Sequence, residues 1–491
     1  MSRNVSLPPQ AREVNRRVTA AGGTANAIGG SVIDGLHNRE VKDLDVEVFG
    51  LGWRDLVSCF EGLPTKEVGA EFGILKVIID GLEVDVSIPR SDNRVGVGHA
   101  GFEVSLDPRM TEKEAARRRD FTINTLSADC GTGEVKDFWG GLADLEAGIL
   151  RATDPELFPQ DILRGLRAMQ LLARKARVVD PSTMRLIRGM ASEFHTLPPE
   201  RVWEEFVKLF LKAANPSAGL QFLEDSGWIL LFPHLDAMRG CGQHPLWHQE
   251  GTVWKHALQA ADAAAQLRPH LPEEDRLVIV MAAFLHDIGK PATTVTPAMV
   301  ASGEHPASRV WSAHGHDTKG VKPADEFLQQ LTGPKGRKAF RAKVTGLVRE
   351  HMQPFGLVSG NAGEGAWTRL HNRLAADGLT LRHLGSICQC DACGTGRDTG
   401  RSLEGGAPNW EHRTSEACFE WAEKFENAPP APLVKGRHLM EAGIKPGPAM
   451  GDLVRSAHEL QMDNPSWLQL SNDPEKAAKQ LVAAVLNTKG A

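Results

Sequence analysis

The sequence predicts an α+β chain in which a small N-terminal mixed-sheet head is followed by domains that are entirely helical. Three observations carry this. Up to about Phe138 short strand-like runs alternate with glycine turns, from about Leu142 onward apolar residues recur at helical spacing, and a composition 41% apolar and 24% charged is that of globular domains. At 491 residues the chain has room for two to four domains, each able to bury a core of its own. The patterning sets expected bounds: a head over residues 1–140, a helical neck and body over 141–238, a helical domain over 239–426 and a helical tail over 427–491.

Within the head, residues 46–49, 74–79 and 84–88 read as strands. Beyond it, residues 162–173, 201–213, 253–267 and 276–286 carry apolar side chains on one helical face. The proline-bearing stretches 232–245 and 427–433 read as connections, and 356–366 as a glycine-rich loop. The longest apolar run, 277–285, is far shorter than the roughly 18 residues a membrane span needs, so no membrane association is expected. The first ten residues lack the apolar centre of a secretory signal, and seven cysteines without a regular framework suit reduced thiols, so the expected location is cytoplasmic. Cys388, Cys390 and Cys393 lack a second ligand pair and read as core cysteines more readily than as a zinc site. A net charge of −6 argues against a general nucleic-acid coat. It leaves room for a local track, and Arg164, Arg167, Arg174, Lys175, Arg177, Arg185 and Arg188 form one that is either RNA-facing or a solvated helix face.

Two constellations carry chemistry. In the first, residues 27–36 read as strand, glycine turn and helix, where Gly29 and Gly30 admit a phosphate close to the backbone and Ser31 adds a hydroxyl at the helix start. Asp43 and Asp45 follow, two residues apart on an expected strand and so on one face. Two like charges held together call for a cation between them, and Mg2+ takes carboxylate oxygens while keeping positions open for triphosphate oxygens. Asp85, on a neighbouring strand, is the candidate third carboxylate; Glu47 shares the alternation but reads as a solvated strand residue. A loop-edge acidic cluster is the competing account of the pair.

The order Gly29-Gly-Ser-Val-Ile-Asp-Gly-Leu36, Asp43-Leu-Asp45, Arg118-Arg-Asp-Phe-Thr-Ile-Asn-Thr-Leu126 and Asp161-Ile-Leu-Arg-Gly-Leu-Arg167 resembles the class II CCA-adding tRNA nucleotidyltransferases and bacterial poly(A) polymerases. The resemblance implies a polymerase β-like nucleotidyltransferase head using CTP and ATP on tRNA, with Asp43 and Asp45 on the catalytic Mg2+. It places Arg119, Asp120 and Asn124 near the sugar and phosphates, with Arg118 among the nucleotide-binding residues. Asp161 and Arg164 present an edge to the incoming base, and Arg167 supports them. That last role has its own physical sense: a carboxylate and a guanidinium one helical turn apart match the amino donor and ring acceptor that cytosine and adenine both show. An intrahelical Asp161–Arg164 ion pair is the plainer alternative. Two positions depart from the family pattern. Ile33 stands where an arginine is usual, removing a triphosphate contact that Arg118, Arg119 or Arg167 would have to replace, and Gln160 stands where a glutamate is usual.

The second constellation is His256, the adjacent His286 and Asp287, and Asp391, on predicted helices. Burying His286 and Asp287 is costly unless something binds them, and two imidazoles with two carboxylates suit Ni2+, Mn2+, Fe2+ or Zn2+ better than calcium. The set resembles the HD phosphohydrolase superfamily. With the head it resembles the CCA-adding subgroup whose C-terminal HD domain hydrolyses 2′,3′-cyclic phosphates and 2′-nucleotides, implying a role in tRNA repair. His314, His316 and His351 read as phosphate contacts or as loop and capping histidines. Poly(A) polymerase, an HD phosphohydrolase with a degenerate transferase head, and a non-enzymatic tRNA-binding protein are the alternatives.

Overall fold

The computed structural model describes residues 3–41, 43–68, 73–94, 102–394, 410–426, 432–463 and 473–489. The chain divides into two compact units, Met1–Cys418 and Phe419–Ala491. The expected boundary segment 427–433 lies mostly outside the described residues.

The first unit opens on β1 (Thr24–Ile28), β2 (Leu44–Phe49), β3 (Thr65–Val68), β4 (Ile74–Ile79) and β5 (Leu82–Ser87), followed by a separate antiparallel pair, β6 (Arg90–Arg94) and β7 (Phe102–Leu106). With β8 (Ser127–Asp129) and β9 (Val135–Lys136), the main sheet has seven described strands in the order β3-β4-β5-β2-β1-β8-β9. It is mixed, because β2 runs parallel to β5 while its other described ladders are antiparallel. Alternation decides the faces: Val46, Val48, Val77, Val84 and Val86 are fully buried, and the residues between them carry the polar chemistry. All three strands read from sequence are present, each within two residues of the expected ends.

Apart from a short parallel pair, Ile149–Leu150 with Val178–Val179, the regular structure described in the rest of this unit is helical, and the four expected helices appear as Leu163–Lys175, Pro199–Lys212, Val253–Leu267 and Glu273–Leu285. Two expected connections prove partly helical. Pro233–Gly240 forms a helix because its proline occupies the first turn, where no N–H is needed, and Gln353–Ser359 and Glu364–Ala376 take up most of the expected glycine-rich loop. The helices meet at an aromatic centre in which Phe206, Phe232, Phe284 and Phe327 pack mainly edge to face, with ring centroids 5.7 to 6.3 Å apart. Cys388 and Cys390 lie buried on the helix Leu381–Cys393 as free thiols.

In the second unit the helices Gly436–Glu441, Pro448–Asp463 and Pro474–Lys489 close on a small core of Val434, Leu439, Leu453, Ala457, Leu481, Val482 and Val485. No helix among the described residues is long and apolar enough to cross a membrane.

Candidate active sites

At the head, β1 ends in Gly29, whose φ of 62° is open to glycine at little cost, and the chain turns there into the helix Gly30–Leu36. Ser31 closes this turn: it is buried, and its hydroxyl donates to the Ile28 carbonyl at 2.8 Å, so in this arrangement its proton is already committed. Next to the turn, β2 and β5 pair in parallel so that Asp45 lies opposite Asp85, and β4 places Lys76 opposite Asp85 in turn. Lys76 Nζ binds Asp85 at 2.9 Å and Glu83 at 2.5 Å. Asp43 occupies an exposed bend one residue before β2, and is not on the strand itself. Asp45 opens onto a cavity, yet protein encloses it enough that desolvation, followed by the charges of Asp85 and Asp43, pushes its pKa up to about 6. A carboxylate whose charged form is opposed by two neighbouring carboxylates is what a bound divalent cation relieves.

That cavity, about 480 Å³, is lined by the Gly29–Gly30 turn and Asp45, with Asn124, Asp161 and a wall of cations: Arg90, Arg118, Arg119, Arg164, Arg167, Arg174, Lys175, Arg201 and Lys208. Three acids against nine cations make a site for a polyanion. Glu47 corrects the solvated reading. It is 1% exposed, and its two oxygens take Arg118 at 2.9 Å and Arg119 at 2.6 Å, orienting both guanidiniums. Asp120 is also buried, and receives the Phe121 N–H and the Asn124 amide, each at 2.8 Å, and Arg167 Nε at 2.5 Å. Its role in this geometry is to fix Asn124 and Arg167. Asp161 receives the Leu163 N–H at the start of the helix Leu163–Lys175, while Arg164 donates to the carbonyls of Arg118 at 2.6 Å and Leu157 at 2.9 Å, which fixes the plane of its guanidinium.

Lys175 is the cation the motifs did not single out. Its ammonium lies 3.9 Å from where a side chain on Gly30 would begin, and among the described residues it makes no hydrogen bond or ion pair. Burial lowers its pKa, partly opposed by Asp34. Arg201 and Lys208 come from a helix beyond the recognised motifs, and only packing brings them to the cavity.

The second site gathers five helices. His256 lies on Val253–Leu267, His286 and Asp287 follow Glu273–Leu285, His316 opens His316–Thr332, His351 follows Lys338–Glu350, and Asp391 lies on Leu381–Cys393. All four imidazoles donate from Nδ1 to a backbone carbonyl: to Gly394 at 2.9 Å, Ala283 at 2.8 Å, and Ala313 and Val348 at 2.7 Å each. Their Nε2 atoms therefore turn inward, and they meet in pairs, His256 with His286 at 3.2 Å and His316 with His351 at 3.1 Å. Facing imine nitrogens repel unless a cation stands between them, a proton at the least.

Asp287 joins the two pairs. Its Oδ2 is 3.4 Å from His286 and 3.7 Å from His256, and its Oδ1 is 3.2 Å from His316 and 3.8 Å from His351. Oδ2 receives no well-aligned hydrogen bond, although Lys290 Nζ forms a close ion pair at 2.5 Å. Asp391 completes the first group, 3.0 Å from His256 and 3.5 Å from His286. The donor set of imidazole nitrogens and carboxylate oxygens fits metal ions, and two overlapping groups, His256–His286–Asp287 and Asp287–His316–His351, share one carboxylate. His316 and His351, read from sequence as phosphate contacts or as loop and capping histidines, lie in a group that could hold an ion, while His314 stays on the cavity lining. Behind His256, a Glu250 oxygen lies 3.0 Å from the same Nδ1 and accepts from His248 Nδ1 at 2.7 Å, an outer contact that steadies the ring.

Burial disfavours the charged form of His256, but Asp391 and Glu250 outweigh it and raise its pKa to about 9; burial together with the His316 and His286 charges drives His351 down to about 3. Gly289 allows the convergence. A side chain there would begin 2.1 Å from the His316 carbonyl, so only glycine lets the two helix ends meet.

Three family profiles match the chain: a poly A polymerase head domain over residues 25–151, a probable RNA and SrmB-binding site of polymerase A over 178–239, and an HD domain over 253–366. Head and HD domains of this kind are metal-dependent. A multifunctional CCA protein of Xanthomonas campestris pv. campestris (strain B100) is 34% identical over 443 residues, covering 88% of this chain and 96% of the relative. One from Stenotrophomonas maltophilia (strain R551-3) is 34% identical over 66% of this chain and 75% of its own length. Among solved structures, an apo form of a CCA-adding enzyme superposes with a TM-score of 0.59 at 16% identity, covering 99% of both chains. A Thermotoga maritima CCA-adding enzyme complexed with tRNA gives 0.54 at 17% identity, again over 99% of both. Identity above 30% across nearly the whole of the Xanthomonas relative settles the kinship: this chain belongs to the multifunctional CCA protein family.

Proposed function

We propose that this chain adds CMP and AMP to tRNA 3′ ends without a nucleic-acid template, and that its HD domain hydrolyses 2′,3′-cyclic phosphates and 2′-nucleotides in tRNA repair. The carrying observation is that Asp45, opposite Asp85 in the sheet, lines a cation-walled cavity together with the glycine turn. Its relatives are named for CCA, and solved neighbours hold tRNA, CTP and ATP.

Asp43, Asp45 and Asp85 would hold Mg2+, which when bound supplies charge neutralisation and polarisation at the reacting phosphate. The triphosphate lies along the glycine turn, where Lys175 offers the cation that Ile33 does not. Asp161 and Arg164 present acceptor and donor to the base, with Arg164 held planar by its two carbonyl bonds. The tRNA 3′ oxygen then bonds to the α-phosphorus as the bond to pyrophosphate breaks, and the hydroxyl proton passes to a carboxylate or to water.

At the HD site, His256, His286, Asp287 and Asp391 would hold one transition-metal ion and His316, His351 and the other oxygen of Asp287 a second; Ni2+, Mn2+, Fe2+ and Zn2+ all suit these donors. Bound ions activate water and neutralise the phosphate. In the hydrolysis a water oxygen bonds to phosphorus, one ring P–O bond breaks and the freed ribose oxygen takes the proton.

Incubation of the full chain with Mg2+ and a tRNA lacking its 3′ CCA tests the reading. CTP alone should add two residues, and CTP with ATP three. A long tail from ATP alone would indicate a poly(A) polymerase, and no extension a degenerate head.

A further inference from the structure

Asp287, His316, His351 and Asp391 of the HD cluster line a cavity of about 570 Å³, whose lining combines ionisable and aromatic groups. Its lining includes Asp287, His316, His351, Asp391 and Lys290, the groups that would meet a phosphate in the proposed hydrolysis. The mouth is aromatic: Trp247 and Phe355 line it while 44% and 39% exposed, among the few large apolar side chains that the described surface leaves open. Trp311 lines the same cavity.

Trp311 is held in an unusual way. Its φ is 64°, a left-handed backbone that a bulky side chain rarely adopts. Two backbone hydrogen bonds impose it, from Trp311 N–H to the Val295 carbonyl at 2.7 Å and from Val295 N–H to the Ser312 carbonyl at 2.9 Å. Gly242 lies beneath the indole, and a side chain there would begin 2.8 Å from its Cζ3, so the bare backbone makes room for the ring on the cavity lining. A cavity that combines ion-binding donors and the Lys290 ammonium with aromatic rings matches a nucleotide, whose phosphate is charged and whose base has a flat apolar face.

We infer that this cavity contains a nucleobase subsite, in which the base of a nucleoside 2′-phosphate or 2′,3′-cyclic phosphate stacks on Trp311, with Trp247 and Phe355 at the mouth, while its phosphate meets Lys290 and the histidine cluster. The inference rests on the phosphohydrolase reading of the site. Stacking uses the face common to all bases, so the subsite selects nucleotides over bare sugar phosphates and discriminates weakly among bases.

The test compares two substrates on the full chain loaded with Mn2+: 2′,3′-cyclic AMP, and methyl ribofuranoside 2,3-cyclic phosphate, which carries the same ring without a base. The wild-type protein should prefer the nucleotide in kcat/KM by about tenfold or more. Trp311→Ala should remove most of that preference, chiefly through KM, and Trp311→Phe should restore much of it. Trp247→Ala should reduce the preference to a smaller extent, and calorimetric affinity for 2′-AMP should fall in the same order. Equal kcat/KM for the two substrates in the wild type, or an equal fall for both in Trp311→Ala, overturns the subsite. Hydrolysis of neither substrate by the Mn2+-loaded wild type overturns the phosphohydrolase reading, and the subsite with it.

Discussion

Arg167 donates from Nε to Asp120 Oδ2 at 2.5 Å, joining the Arg118–Leu126 motif to the helix Leu163–Lys175. Burial alone would raise the Asp120 pKa, but Arg167 and the Asn124 amide outweigh it and hold the carboxyl below its usual range. A depressed folded pKa contributes stability that is present above the unfolded value of about 3.9 and is lost as pH falls through the folded value. Asp120→Asn should therefore cost about 1–3 kcal/mol at pH 7, discounted because Arg167 is partly exposed, and the difference from wild type should shrink below about pH 4. Urea unfolding at several pH values checks this, and a difference independent of pH would refute the charge pairing.

Lys175→Ala should raise KM for both CTP and ATP by about tenfold, the scale of one hydrogen bond to a charged group, and Lys175→Arg should recover part of it. Single-nucleotide addition kinetics measure the effect. An unchanged KM would mean that the triphosphate does not lie along Gly30.

Asp45→Asn or Asp43→Ala should reduce nucleotide addition by at least about 10²-fold while HD hydrolysis continues. The two activities are assayed on the same preparation. Continued addition would remove the metal role from these carboxylates.

Removing metal with a chelator should abolish HD hydrolysis and lower Tm, because it leaves the paired Nε2 atoms facing without a shared metal cation. His316→Ala should lower bound metal from about two ions per chain to about one, with His286→Ala leaving CMP and AMP addition largely intact. Elemental analysis gives the stoichiometry, and an unchanged count in His316→Ala would confine the site to a single ion.

Gly289→Ala should destabilise the HD region by about 3 kcal/mol or more and weaken metal binding, since a methyl there collides with the His316 carbonyl. Thermal unfolding with and without metal reads both effects. Wild-type stability in this variant would show that the helix ends have room to spare.

Much of the candidate machinery was legible in local order. The glycine turn, the Asp-x-Asp segment and the His-Asp pair each place chemistry within a few residues, and the helix Val253–Leu267 was bounded correctly by its apolar period. Glu47 was misread because alternation gives only the face of a strand; the Arg118 and Arg119 side chains that bury it come from 71 and 72 residues away. His316 and His351 had no local signal that separates a ligand from a capping histidine, since both meet the criterion for either until their Nε2 atoms are seen to converge.

By itself the sequence determined three strands of the head sheet and four of the long helices, because period, proline and glycine act through neighbouring residues. It also carried the motif order that marks the family. Tertiary structure alone decided that Asp85 stands opposite Asp45, that Lys175 reaches the glycine turn, and that Asp287 divides its two oxygens between two histidine pairs. Those relationships depend on strand register and on helices packed from distant parts of the chain, and side-chain spacing along the chain does not encode them.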